Sequence, residues 1–329
     1  MGDGGTQMKN ILIIHTGGTI SMEENTSTGE VNTTSEHPLS EATKHLKHIA
    51  NITDEAAFHV PSPHMQPRHM LQLGQLIHER FTEKKFDGIV VTHGTDTLEE
   101  TAYFLDLFLQ TRKPVIVTGA MRSANEIGAD GLYNLITAVR VASSDEAHEK
   151  GTLVVMNDEI HTAKSVTKTS TSNVATFQSP QYGPIGITTK QEVFFHHKIT
   201  YREAYPVQQL SKNVVLLKVY AGMDGSIIDS LLDSRVDGLV IEALGQGNVP
   251  PSMIGSLTAA VEAGVPVLVV SRCYQGFVQP TYAYEGGGKH LEDIGLIFAN
   301  GLNGPKARIK LMLALEMTNN RAEIISMFQ

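Results

Sequence analysis

The chain has 329 residues, 41% hydrophobic and 19% charged, which is the balance of an ordinary globular protein and excludes a disordered or coiled-coil chain. At ~150 residues per domain, that length predicts two domains. The 26 Lys and Arg against 35 Asp and Glu leave a net charge of -9, the wrong sign for gripping phosphate backbones or anionic lipid, so neither nucleic acid nor membrane is expected as a partner.

Taken in chain order, the first β-branched run is Ile11 to Ile14. It is followed by Ser21 to Glu36, polar, rich in Thr and Glu, and read as a long loop of the kind that serves as a lid. Further continuous apolar runs lie at Gly88 to Thr92, Pro114 to Thr118, Leu153 to Met156, Val214 to Val219, Gly238 to Ile241 and Val265 to Val270, and are read as buried parallel strands. Between them stand helical stripes: Leu98, Ala102, Leu105 and Leu109; Leu132, Leu135, Ile136 and Val139; Ile227, Ile228, Leu231 and Leu232. Thr97 and Glu100 have the spacing of a capping box, and Ser252 and Gly264 bracket a further helix. Alternating strands and helices predict an α/β protein: a larger N-terminal doubly wound sheet domain, with helices on both faces, over 8–195, a linker over 196–212 where periodicity fades, and a smaller C-terminal α/β domain with a parallel sheet over 213–329.

The longest apolar runs fall far short of the ~20 residues of a membrane helix, and no basic, apolar leader pattern opens the chain, which predicts a cytoplasmic protein. Cys273 is the only cysteine, so an intrachain disulfide and a Cys-based metal cluster are excluded. Among the 14 histidines, neither His45 and His48 nor His59, His64 and His69 have a His-Glu-x-x-His pattern or flanking carboxylates to complete a site, and no metal is expected. Phosphate-binding and dinucleotide fingerprints are also missing: Gly245-Gln246-Gly247 lacks the third glycine, so no cofactor is expected.

In doubly wound sheets ligands sit beyond the carboxyl ends of the strands. Three strand ends carry small, hydroxyl-rich turns: His15-Thr16-Gly17-Gly18-Thr19, Thr92-His93-Gly94-Thr95-Asp96-Thr97 and Thr118-Gly119-Ala120-Met121. Glycines permit close backbone approach and leave amide N–H groups free to face an oxyanion. A hydroxyl-rich segment, Val166-Thr167-Lys168-Thr169-Ser170, adds a lysine. One such turn alone ends a strand and no more; three at equivalent strand ends point to a site. The set fits acyl chemistry in which a threonine hydroxyl is activated by a lysine, desolvated so that its amine can act as a base, and held by an aspartate.

At these residues the sequence resembles the bacterial L-asparaginase family, homotetrameric Thr-dependent amidohydrolases, over nearly the whole chain from Lys9 to Phe328. The resemblance is carried by Thr16-Gly17-Gly18-Thr19-Ile20 and by Thr92-His93-Gly94-Thr95-Asp96-Thr97 with its continuation to Tyr103, and is reinforced by Val154 to Asp158 and Val166 to Thr169. It implies hydrolysis of L-asparagine to L-aspartate and ammonia through a threonine acyl-enzyme, without metal or organic cofactor, in a homotetramer built from dimers with sites at the subunit interface. Carried over, Thr19 matches the lid-side nucleophile, and Thr95, Lys168 and Asp96 match the second threonine, its base and its orienting acid. The N–H groups of Thr95 and Ala120 match the oxyanion hole, Ser62 the serine that binds the substrate α-carboxylate, Asp96 also a partner of the α-ammonium, and Glu285 the acid that a neighbouring subunit supplies to that ammonium. Three departures stand out. Ser21 to Glu36 lacks the lid tyrosine that the family places near Thr26 to Thr28, Pro63 stands where the periplasmic subgroup has Gln or Glu, and Pro250 stands where that subgroup has an asparagine.

Two other readings remain open. One is a glutaminase-asparaginase of broader specificity; the other, of a different class, is a noncatalytic amino-acid-binding protein that uses the same turns.

Overall fold

The structure, a computed structural model, describes residues 8–18, 28 and 46–329, with the backbone alone of 22–24 and 31–33. The chain divides into two units, Met1–Ala204 and Tyr205–Gln329. Neither helix nor strand occurs from 196 to 213.

In the N-terminal unit the continuous apolar runs form the parallel strands β1 (Asn10–His15), β5 (Gly88–Thr92), β6 (Val115–Thr118) and β7 (Thr152–Met156). Also in that unit are β2 (Met22–Glu24), β3 (Val31–Thr33), β4 (Asn51–Ala56), β8 (Glu159–Thr162), β9 (Thr167–Lys168), β10 (Phe177–Gln178), β11 (Gly186–Thr188) and β12 (Val193–Phe195). Eight of them make one sheet in the order β12-β11-β8-β7-β6-β5-β1-β4. The sheet is mixed: β4, β1, β5, β6 and β7 are parallel, whereas β8, β11 and β12 join antiparallel. The antiparallel edge begins at the tight Asn157–Asp158 turn, where both residues have positive φ (50° and 66°), a conformation that these two residue types tolerate better than most.

Three helices flank the part of the sheet that matters for the site: α1 (Pro67–Thr82), α2 (Leu98–Phe108) and α3 (Gly131–Ala142). Helix α3 packs Leu135, Ala138, Val139, Val141 and Ala142 against Ile13, Val90, Ile116, Leu153 and Val155. The alternate residues Leu12, Ile14, Val91 and Val117, which point to the other face by the strand's period of two, are equally buried. Both faces are therefore covered, and each fully buried aliphatic side chain contributes about 1.5–3 kcal/mol to holding the strand ends in place. Helix α2 lies over β6 and β7 and against α1.

In the C-terminal unit β13 (Val214–Lys218), β14 (Gly238–Ala243), β15 (Val267–Ser271) and β16 (Ile297–Phe298) form a parallel sheet in sequence order. Its helices are α4 (Ser226–Asp233), α5 (Ile254–Glu262), α6 (Gly288–Asp293), α7 (Gly304–Met317) and α8 (Arg321–Met327).

Three local expectations are corrected. The Thr97–Glu100 capping box does not form at α2, because the Thr97 hydroxyl donates instead to the Ser62 carbonyl at 2.9 Å. Ser252 does not cap α5; its hydroxyl donates to the Met223 carbonyl at 2.9 Å, while Gly264, with φ of 79°, does follow the helix end. The stretch read as a loop from Ser21 to Glu36 contains a two-stranded antiparallel pair, β2 with β3.

Candidate active site

Strands β1, β5 and β6 lie side by side, so the three hydroxyl-rich turns leave the same edge of the sheet. They interlock through backbone. A Cβ on Gly18, whose φ is +90°, would lie 2.3 Å from the Cα and N of Gly94, and a Cβ on Gly94 would lie 2.7 Å from Ser62 Oγ. No side chain fits at such separations, which is the physical reason for glycine at both positions. Thr16 donates from both its N–H and its hydroxyl to the Thr92 carbonyl, at 3.1 and 2.9 Å, tying the first turn to the second.

The second turn is fixed from inside. His93 is fully buried, which pushes its pKa down to about 4, and the neutral ring donates from Nδ1 to the Gly94 carbonyl at 2.7 Å. Its Nε2, 2.9 Å from Thr101 Oγ1, then accepts from that hydroxyl on α2. The third turn is held by α3. Asp130 accepts the N–H groups of Met121 and Arg122 at 3.0–3.1 Å, and Asn134 Nδ2 donates to the Gly119 carbonyl at 3.0 Å. Ala120 is buried between these tethers. Among the described residues, the N–H groups of Thr95 and Ala120 donate to no protein acceptor, which leaves two amides for a ligand.

Lys168 reaches this edge from β9. Its Nζ lies 2.9 Å from Thr95 Oγ1 and 2.7 Å from Asp96 Oδ1. Thr95 is buried, the Lys168 side chain is 18% exposed and that of Asp96 57%, so the aspartate faces outward while the lysine–threonine contact is largely shielded from water. Ser62, buried in a short 3₁₀ turn that also holds Pro63, accepts the Asp96 N–H on its Oγ at 3.2 Å. Thus Ser62, Thr95, Asp96, Lys168 and Ala120 are brought to one edge of the sheet. Thr19, the expected nucleophile, lies outside the described residues. Glu285 belongs to the C-terminal unit, where it is exposed beside a glycine turn whose Gly288 N–H donates to Asn248 Oδ1 at 3.1 Å.

One contact has no counterpart in the sequence reading: the Lys168 main-chain N–H donates to Glu99 Oε2 at 2.7 Å. Nothing in Leu98-Glu99-Glu100 separates Glu99 from its neighbour by pattern alone. No group of three or more His, Cys, Asp or Glu placed to hold a metal ion occurs among the described residues. No helix among them is long and apolar enough to cross a membrane.

Comparison with known proteins gives this constellation a lineage. Residues 10–201 match the family described as asparaginase, N-terminal, and residues 213–328 match the glutaminase/asparaginase C-terminal domain. The L-asparaginase of Bacillus licheniformis is 36% identical over 309 residues, spanning 93% of this chain and 95% of that protein. The glutaminase-asparaginase of Pseudomonas fluorescens biotype A is 32% identical, spanning 98% and 91%. Among solved structures, the probable cytoplasmic L-asparaginase of Campylobacter jejuni superposes with a TM-score of 0.87 at 33% identity, covering 97% of this chain and 99% of that one. With both domains matched and the identities holding over almost the full length, the chain belongs to the asparaginase family.

Proposed function

We infer that this protein is an L-asparaginase, an amidohydrolase that converts L-asparagine to L-aspartate and ammonia. We further propose that it works through a threonine acyl-enzyme. The observation that carries the mechanism is the contact of one amine with both Thr95 and Asp96, residues more than seventy positions away in sequence.

In this mechanism the Thr19 hydroxyl adds to the side-chain amide carbon of asparagine. The negative charge that develops on the amide oxygen is met by the N–H groups of Thr95 and Ala120, which have no acceptor among the described residues and belong to turns already held in place, so little reorganisation is needed during the step. The proton of the Thr19 hydroxyl passes to the departing nitrogen, so ammonia leaves; water then adds to the ester, and the proton that it gives up returns to the Thr19 oxygen as aspartate is released. Thr95 and Lys168 handle the proton of the attacking water: the hydroxyl hands its proton to Lys168 Nζ at 2.9 Å while Asp96 fixes the amine. Ser62 receives the α-carboxylate and Asp96 the α-ammonium. Glu285 of a neighbouring subunit completes the grip on the ammonium in a homotetramer built from dimers. Mixing Thr19→Ala with Glu285→Ala subunits under reassembling conditions therefore restores activity, because each hybrid interface holds one intact site. A cytoplasmic location is supported by the likeness to the Campylobacter protein, whose name carries it.

The test is ammonia release from purified protein with each amide. A grip that fixes the α-carbon makes glutamine overshoot by one methylene, a mismatch worth ~1–3 kcal/mol, so kcat/KM for asparagine exceeds that for glutamine by roughly 10- to 200-fold. Equal values turn the assignment into glutaminase-asparaginase, the name that the Pseudomonas relative carries. Absence of ammonia from both leaves the noncatalytic amino-acid-binding reading.

A further inference from the structure

We infer that Glu99 is a positioning residue for the Lys168 amine; this rests on the role proposed for Lys168 above. Lys168 stands on a strand of two residues, β9, which pairs with β10 and belongs to a two-stranded sheet separate from the eight-stranded one. Lys168 is not itself a member of the large sheet that aligns the three turns, although two residues earlier the Val166 N–H donates to the carbonyl of Thr162 on β8 at 3.1 Å. The β9–β10 hairpin is stitched to itself, with the Thr169 N–H and hydroxyl both donating to the Thr176 carbonyl at 2.8 and 2.7 Å and Ser170 N–H donating to Thr176 Oγ1 at 2.7 Å. Phe177 is buried and anchors its second strand. At the main chain of the lysine, its N–H donates to Glu99 Oε2 at 2.7 Å.

Glu99 is suited to that task. It sits in the first turn of α2, which opens directly after Asp96-Thr97, and only 8% of it is exposed, so neighbours restrict its rotamers. A carboxyl group at a helix N-terminus is also favoured by the helix dipole. Lys168 is consequently held at both ends by one short stretch of chain: its N–H by Glu99, its Nζ by Thr95 and Asp96. A lysine stem has four rotatable bonds, so an amine whose backbone is free to shift spends little time at the distance that proton transfer needs. Fixing the Cα end restricts that search. Glu99 does this without touching the substrate or the transferred proton.

The experiment compares Glu99→Ala, Glu99→Gln, Glu99→Asp and Lys168→Met by steady-state hydrolysis of L-asparagine and by thermal unfolding. A misplacement of about 1 Å costs on the order of 100-fold in rate, so Glu99→Ala lowers kcat by about 10- to 100-fold with KM within about threefold of wild type. Glu99→Gln restores most of the turnover, since an amide oxygen at the same reach accepts the same N–H, and Glu99→Asp, charged but too short, does not. Wild-type kcat in Glu99→Ala, a loss confined to KM, or Glu99→Asp outperforming Glu99→Gln overturns the inference. If Glu99→Ala does not fold, the ranking of the other two decides. Lys168→Met separates the two levels: full activity there removes the reading of the site and this inference with it, whereas an inactive Lys168→Met beside a wild-type Glu99→Ala removes the inference alone.

Discussion

In the N-terminal unit the parallel strands run out into threonine, histidine and glycine, and these ends are buried: Thr92, His93 and Thr118 are 0% exposed and Thr95 6%. In the C-terminal unit, strands of the same apolar character run out into open aromatic surface, with Tyr220 after β13 55% exposed and Tyr274 after β15 73%. Glu285 stands in similarly exposed company, between Tyr284 and a glycine turn. One kind of scaffold thus carries two kinds of edge. Where polar groups are buried, each must find a partner, and the resulting hydrogen bonds fix hydroxyls and amides in advance of any substrate. Exposed aromatic edges carry no such preorganisation and are instead suited to covering by another surface.

The largest expected effect of breaking this contrast is on turnover. Thr95→Ala and Thr19→Ala each lower kcat by at least about 100-fold while the fold persists, because each removes a hydroxyl to which the proposed mechanism gives a chemical role. Circular dichroism beside the kinetic assay checks both halves of that statement.

Glycines sharpen the comparison energetically. Gly18→Ala drives a Cβ into the backbone of Gly94 and adds a side chain at φ of +90°, so the turns must separate. Its cost is several kcal/mol, above the ~1–2 kcal/mol of left-handed strain alone, and activity falls with it. Gly255→Ala in the C-terminal unit meets nothing within 4 Å, lies on the exposed side of α5 and has no positive φ, so it gains about 0.5–1 kcal/mol and leaves kcat unchanged. Denaturant melts of the two variants give opposite shifts.

Acid acts on the buried edge through His93. Burial lowers its pKa from an ordinary 6.5 to about 4, so the unfolded chain binds the proton more tightly than the folded one between those values. The stabilisation is present above about pH 6.5 and is lost as pH falls through 4, by ~3 kcal/mol. Relative to a His93→Gln variant, the stability of the wild type should therefore decline by that order as pH is lowered across the interval; parallel pH profiles would mean that the ring does not stay neutral.

The parts of the fold legible in the sequence were those in which chain geometry and burial coincide. Strands β1, β5, β6, β7, β14 and β15 are buried on both faces and so read as continuous apolar runs, and the edge strand β13, only partly buried, reads the same way because Val214-Val215-Leu216-Leu217 are all apolar. Strand β4 did not, because Asn51-Ile52-Thr53-Asp54-Glu55-Ala56 is an edge strand that buries only part of itself. Helix α7 is hidden differently: Lys306 and Lys310 are buried on it, at 1% and 3% exposure, so charge falls on positions where an amphipathic stripe would be apolar. Its start was nevertheless marked by Asn303, whose side chain caps the Lys306 N–H, and by Pro305 in the first turn. Thr97 shows the opposite failure, a sound local capping signal overridden by a tertiary bond to Ser62. At the site, Ser62, Thr95, Asp96, Ala120 and Lys168 were legible because glycine-rich turns and the family resemblance mark them. Glu99 was not, since its partner is a main-chain N–H, and no residue type at position 168 announces that requirement.

The central claim is that an amine set between Thr95 and Asp96 drives asparagine hydrolysis, and kcat/KM of Lys168→Met for L-asparagine tests it most directly. Methionine keeps the length and the packing of the stem while removing the amine. The account predicts a fall of at least about 100-fold in a variant that unfolds cooperatively near the wild-type temperature, with no recovery when the assay pH is raised. Wild-type kcat/KM in that folded variant would contradict it.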